Sequence, residues 1–148
     1  GNGSLTGAKL LSDRYGIDVM GIPGTIDNDL SYTDNTIGFD SAVNIVLDAI
    51  TRIRDTSSSH QRTSVIEVMG RHCGQIALCA GIASGAIATI IPEAPFDEAE
   101  IIERIKKARE GGKRGMIVMV SEGVFVKDEN GKEIPYSEIF ADIEKGLH

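Results

Sequence analysis

At 148 residues, with 41% hydrophobic and 25% charged side chains, the chain has the size and apolar content of one globular domain and can bury a sizeable core. A formal net charge of -7 excludes a general nucleic-acid or membrane-surface binder, because phosphate backbones and anionic lipids select for clustered Lys and Arg. No apolar run approaches the roughly 18 residues of a membrane span and no basic-then-apolar leader is seen, so a soluble, cytoplasmic protein is expected. Glycine is abundant, at 17 residues against 4 prolines, which favours tight turns and α/β architecture over a coiled coil. Cys73 and Cys79 show no CxxC spacing and no zinc-type cluster, and are expected to be buried, reduced thiols.

The opening run Gly1-Asn2-Gly3-Ser4 reads as a phosphate-type loop with no strand before it, as though the chain began mid-domain. Helix formers follow over 5–15, with Gly16 as a stop. A short strand is expected over 18–22, ended by Pro23-Gly24, with a turn over 25–29 outside its carboxyl end, where open α/β sheets commonly hold ligands. From 36 to 54 the positions Ile37, Val43, Val46, Leu47, Ile50 and Ile53 form a helical stripe, and the serine-rich stretch 55–61 reads as a loop.

A β-branched strand is expected over 63–69, an alanine-rich helix over 75–83, and an apolar strand over 88–91 closed by Pro92. Phe96-Asp97 opens a helix with Ile101, Ile102 and Ile105 turned inward, and Gly111-Gly112 stops it. A buried strand over 116–120 follows, then a hairpin turn at Asn130-Gly131. The expected order β-α-β-α-β-α-β implies a three-layer α/β/α arrangement around a mostly parallel sheet.

The densest candidate chemistry is the run Gly24-Thr25-Ile26-Asp27-Asn28-Asp29. If extended, it directs Thr25, Asp27 and Asp29 to one side, where one carboxylate could accept a hydroxyl proton and the other could steer a divalent cation. The same residues would serve equally as an Asx-rich capping turn. Gly1, Asn2, Gly3 and Ser4 could wrap a phosphate against the positive end of the following helix, or form a simple cap with Ser4. Arg62 and Arg71 flank one strand and so belong to its opposite ends, either as anion-binding forks or as solvated surface cations. Glu122 follows a strand and is either a ligand-binding carboxylate or a turn residue. His60 and His72 have no neighbours of triad or metal type and read as polar loop positions.

In chain order, Gly1-Asn2-Gly3-Ser4, Pro23-Gly24-Thr25-Ile26-Asp27-Asn28-Asp29, Arg54-Asp55-Thr56, Ser59-His60-Gln61-Arg62 and Glu67-Val68-Met69-Gly70-Arg71 resemble the bacterial-type, ATP-dependent 6-phosphofructokinase family. The resemblance runs from Gly1 to about Val126. It implies a central fragment of a two-domain enzyme, with 1–38 the carboxy-terminal part of a nucleotide-binding domain and 39–148 most of a smaller domain for fructose 6-phosphate. The implied reaction is phosphoryl transfer from ATP to the sugar's 1-hydroxyl, in glycolysis. Asp27 would be the base, Thr25 would hold the transferring group and Arg71 would place positive charge by the transition state.

By the same resemblance Ile26, Met69, Gly70 and Glu122 line the sugar, and Arg62 reaches the fructose 6-phosphate of a neighbouring subunit in a homotetramer. Gly1, Asn2, Gly3 and Ser4 meet the nucleotide, Asp29 and Asn2 lie by Mg2+, and Arg54 and Lys113 match effector-binding positions. Asn2 stands where the family usually has an aspartate, and Ile87 where well-known bacterial members carry an effector-site acid. Gly3 and Gly24 are the residues of the ATP-using branch, where pyrophosphate users typically carry Asp and Lys. A pyrophosphate-dependent enzyme and a non-catalytic regulatory half of a duplicated phosphofructokinase are the alternatives. The fragment alone is expected to be inactive, because the family's amino-terminal glycine loop and its carboxy-terminal phosphate-gripping residues are absent from it.

Overall fold

A computed structural model describes residues 2–127 and 130–135. Gly1, the side chain of Asn2 and the expected sugar domain beyond residue 135 lie outside the described residues. The described chain forms α1 (Asn2–Tyr15), α2 (Phe39–Ser59), β1 (Thr63–Val68), α3 (Gln75–Ser84), β2 (Ala88–Ile90), α4 (Glu98–Glu110), β3 (Met116–Ser121), β4 (Phe125–Lys127) and β5 (Glu133–Pro135).

The principal sheet is parallel, in the order β1-β3-β2. Thr63 pairs with Met116 on one side of β3 and Ala88 with Val118 on the other. Because β3 is central, its residues from Met116 to Ser121 are all buried, as its unbroken apolar run requires of a strand covered on both faces. Period-two alternation divides that strand between two cores. Ile117 and Met119 meet Phe39 and Ile50 of α2 and Ile76, Ala77 and Ala80 of α3. Val118 and Val120 face the other way, against Ile101 and Ile105 of α4. The expected three layers are therefore present, and β4 and β5 form a separate antiparallel hairpin.

Each helix follows from its residues. In α2 the inward positions Phe39, Val43, Val46 and Ile50 recur at helical spacing. In α3 small residues permit close approach: a Cβ on Gly81 would lie 2.2 Å from Thr89 Oγ1. Gly85 closes α3 in the left-handed conformation, at φ 64°. Asp97 caps α4, its carboxylate accepting the N–H groups of Ala99 at 2.8 Å and Glu100 at 3.4 Å.

Several expectations are corrected. Residues 18–22 form no strand; Val19, Met20 and Ile22 stay exposed, with no described strand beside them to pair their backbone. The first β of the expected order is thus lost. Asn2, Gly3 and Ser4 are helical rather than a loop, so Ser4 is not a cap. Helix α2 starts at Phe39, leaving Ile37 exposed, and it runs through the serine-rich stretch to Ser59, where Ser57 Oγ meets Ser64 Oγ of β1 at 2.5 Å. Ile102 is exposed, one residue off the inward stripe of α4. Cys79 is exposed on α3 rather than buried, and Cys73 is half-buried; both thiols are free.

Candidate active site

Because the strands are parallel, the segments that follow β1, β2 and β3 emerge at one edge of the sheet, and they bring Arg71, Glu93 and Glu122 to it. Beside that edge lies the acidic turn. Its ends are tied by the Ile37 N–H donating to the Pro23 carbonyl at 3.1 Å. Gly38 permits the approach, since a Cβ there would lie 2.8 Å from Ile26 Cγ2 and 3.0 Å from the Gly24 carbonyl oxygen.

Within the turn Thr25 Oγ1 accepts the Asp27 N–H at 3.2 Å. Asn28 takes the left-handed conformation at φ 56°, so the turn is bent rather than extended. Asparagine tolerates this because its short polar side chain bonds locally. Asn28 Oδ1 accepts the Thr36 N–H at 2.8 Å, and Nδ2 donates to the Asp34 carbonyl at 3.3 Å and to Gln75 Oε1 at 2.9 Å. Despite the bend, Thr25, Asp27 and Asp29 all line one cavity of about 110 Å³, together with Ser4, Gly24 and Arg71.

Arg71 belongs to a second tight turn, between β1 and α3. Gly70 and Arg71 have φ values of 150° and 55°, and the Cys73 N–H closes the turn on the Gly70 carbonyl at 2.8 Å. Such backbone needs outside support. Glu122 supplies it: Oε1 accepts the N–H groups of Gly70 at 3.1 Å and Arg71 at 2.7 Å. Glu93 Oε1 accepts the Gly74 N–H at 2.8 Å, at the N-terminus of α3, where a carboxylate is electrostatically favoured. Gly123 lies so near that a Cβ on it would come within 1.9 Å of the Arg71 carbonyl oxygen. Burial pushes the Cys73 thiol up, the Glu93 and Asp29 carboxylates add to this, and a backbone hydrogen bond at Gln75 acts the other way.

Other expected site residues are placed as follows. Met69 is exposed beside the arginine turn, next to buried Gly70. Ile26 packs its side chain against the core cluster around Phe39. Gly3 and Ser4 fall in the first turn of α1, whose N–H groups have no partner four residues earlier in the helix. Arg62 lies at the opposite edge of the sheet, in an open pocket of about 380 Å³ with Arg52, His60 and Ser64. Arg54 Nη2 donates to the Ser84 carbonyl at the end of α3. Lys113, exposed, follows α4 with its N–H on the Ala108 carbonyl at 2.9 Å. Asn28, Gln75 and Glu93 were not singled out from the sequence; the readiness of asparagine to adopt positive φ was a usable signal for the first, and the others have no local one.

Chemically, the cavity is lined by two aspartates, a threonine and an arginine around one small space. Asp27 and Asp29 supply hard oxygen donors of the type that Mg2+ takes, one or two carboxylates with phosphate and water completing its shell. No cluster of three or more His, Cys, Asp or Glu is present among the described residues. No described helix is long and apolar enough to cross a membrane.

The family model for phosphofructokinase matches residues 1–146. The chain is 59% identical over 134 residues to ATP-dependent 6-phosphofructokinase 1 of Clostridium perfringens, covering 90% of this chain and 42% of that protein. It is 62% identical over 123 residues to the ATP-dependent 6-phosphofructokinase of Paenibacillus macquariensis, covering 83% of this chain and 38% of that one. The fold is similar to that of phosphofructokinase from Saccharomyces cerevisiae, with a TM-score of 0.78 and 36% identity over 99% of this chain and 22% of that chain. The chain thus spans about two fifths of the length of the curated relatives it matches.

Proposed function

Since the chain belongs to the phosphofructokinase family, we propose that it contributes the reacting turn and most of the sugar side of an enzyme transferring the γ-phosphoryl group of ATP to the 1-hydroxyl of fructose 6-phosphate. The carrying observation is that Thr25, Asp27, Asp29 and Arg71, drawn from two turns far apart in sequence, line one cavity. In this reading the sugar's 1-oxygen attacks the γ-phosphorus, its proton passes to Asp27, and ADP leaves. The Thr25 hydroxyl holds the transferring group and the Arg71 guanidinium offsets charge on its oxygens. Phosphoryl transfer depends on such positioning and charge neutralisation more than on covalent catalysis.

Asp29, with the phosphates of the nucleotide, would hold Mg2+, which neutralises phosphate charge; Asn2 would lie near it. Met69, Gly70, Glu122 and the backbone at Ile26 would line the sugar, and Gly1, Gly3 and Ser4 would meet the nucleotide. Arg62 would serve a neighbouring subunit of a homotetramer, and Arg54 and Lys113 an effector. In domain terms, 1–38 would close the nucleotide-binding part and 39–148 would form most of the fructose 6-phosphate part of a cytoplasmic glycolytic enzyme.

ATP is favoured over pyrophosphate by Gly3 and Gly24. A side chain at either would meet nothing within 4 Å, and neither has a positive φ, so packing and backbone do not demand glycine. In this reading the open space there would admit a nucleotide. The test is turnover by the protein at its full encoded length, with ATP or pyrophosphate as donor, beside Asp27→Ala. The expected result is ATP-dependent turnover that Asp27→Ala lowers on the order of a hundredfold or more. Near-normal turnover by that variant would overturn the base assignment, and preference for pyrophosphate would overturn the choice of donor.

A further inference from the structure

We propose that Asn28 and Gln75 form a positioning bridge that holds the reacting carboxylate of Asp27 in register with the arginine turn, an inference that rests on the role given above to Asp27. Asn28 stands between Asp27 and Asp29, only 8% exposed and at a φ of 56°. Its side chain is committed on both polar atoms. Oδ1 and one Nδ2 contact fasten it to the backbone of its own turn, at Thr36 and Asp34. The other Nδ2 contact crosses to Gln75 Oε1 at 2.9 Å, over a separation of 47 residues.

Gln75 is well placed for this. It is the first residue of α3 and directly follows Gly74, where the arginine turn ends and where Glu93 takes the backbone N–H. The arginine turn is thus anchored at its start by Glu122, at its end by Glu93, and through Gln75 to the acidic turn. The left-handed residue between the aspartates makes this consequential, because its φ and ψ set the directions in which the chain leaves toward Asp27 and Asp29. If Asn28 loses its outside partner, both carboxylates can shift relative to Arg71. A displacement of about 1 Å in a positioned reacting group can lower a rate on the order of a hundredfold.

Gln75 is exposed, so its side chain can be changed without opening the core. The experiment compares steady-state kinetics of the protein at full encoded length for Gln75→Met, which keeps the length and removes the acceptor, and Gln75→Glu, which keeps an acceptor. Each is made in the unaltered protein and with Asp27→Ala. Gln75→Met is expected to lower kcat about tenfold or more with both KM values within about threefold and an unchanged Tm. Gln75→Glu should restore most of kcat. With Asp27→Ala present, Gln75→Met should change the residual kcat less than about twofold, since the group it positions is gone.

Normal kcat in Gln75→Met overturns the bridge alone. So does a loss of kcat that Gln75→Glu does not restore, one that persists unchanged beside Asp27→Ala, or one that tracks a fall in Tm, which would give Gln75 a structural role. Normal turnover in Asp27→Ala itself overturns the base assignment and the bridge together.

Discussion

At the carboxyl edge of the sheet carboxylates fasten the turns, Glu122 on Gly70 and Arg71 and Glu93 on Gly74, whereas at the amino edge the anchoring side chain is a cation, Arg54 on the Ser84 carbonyl. The same connectivity produces both. A helix that returns between parallel strands presents its N-terminal N–H groups at one edge and its C-terminal carbonyls at the other, so anions suit the first and cations the second. At the carboxyl edge this has a chemical use: Glu122 and Glu93 hold the arginine turn through its backbone, at Gly70, Arg71 and Gly74, while Arg71 lines the cavity with Asp27 and Asp29. At the amino edge Arg54 donates to the Ser84 carbonyl at the end of α3, and Arg62 stands beside an open pocket.

The largest expected break in this contrast is Gly123→Ala. A methyl group 1.9 Å from the Arg71 carbonyl oxygen cannot be absorbed by a flexible side chain, so the turn must move and the Glu122 contacts must loosen. We expect a loss of about 3 kcal/mol in urea unfolding, and turnover reduced to on the order of a hundredth. An unchanged urea midpoint would show that the turn yields without cost. A smaller effect is expected from Arg54→Met, which keeps much of the apolar stem and removes the charge-assisted bond to Ser84. It should lower stability by about 1–2 kcal/mol while kcat stays within about twofold, separating the structural edge from the reacting one.

The smallest effect is read by thiol labelling. The fold raises the Cys73 pKa, chiefly through burial, so at pH 8 it holds less reactive thiolate than an ordinary cysteine, and raising the pH increases that fraction. Iodoacetamide should therefore modify exposed Cys79 several-fold faster than Cys73, with the gap narrowing toward pH 10, followed by mass spectrometry. Equal rates at pH 8 would show that burial does not suppress the Cys73 thiolate.

Legibility in the sequence followed the range of the forces involved. The β-branched run of β1, the apolar run of β3 and the opening of α4 beside Phe96-Asp97 are local signals, and each appears within a residue or two of where it is expected. Failures came where a distant partner decided the outcome. The stretch 55–59 reads as a loop because serines favour turns, yet Ser57 meets Ser64 across α2 and β1 and the helix continues. Residues 18–22 have the composition of a strand, but a strand also needs a neighbour's backbone. For the candidate site, the acidic turn was legible from its own crowding, and the opposite placement of Arg62 and Arg71 from simple strand geometry. The carboxylate clamps and the contact from Asn28 to Gln75 were not, because they join residues that only the fold makes neighbours.

The position of β3 has a further consequence, in the order of assembly. Among the described strands it is the middle one of the sheet and yet the last of the three in the chain, so β1 and β2 have no described partner in this sheet until Met116–Ser121 arrives. The clamp on Arg71 waits longer still, since Glu122 lies 51 residues beyond it. During synthesis from the amino end, the acidic turn and the arginine turn both emerge well before the strand that joins them. Such late, non-local closure is slow, and it leaves strand edges open in the meantime. A nascent chain halted before residue 116 would therefore carry most of the reacting groups without the described strand pairings that hold them.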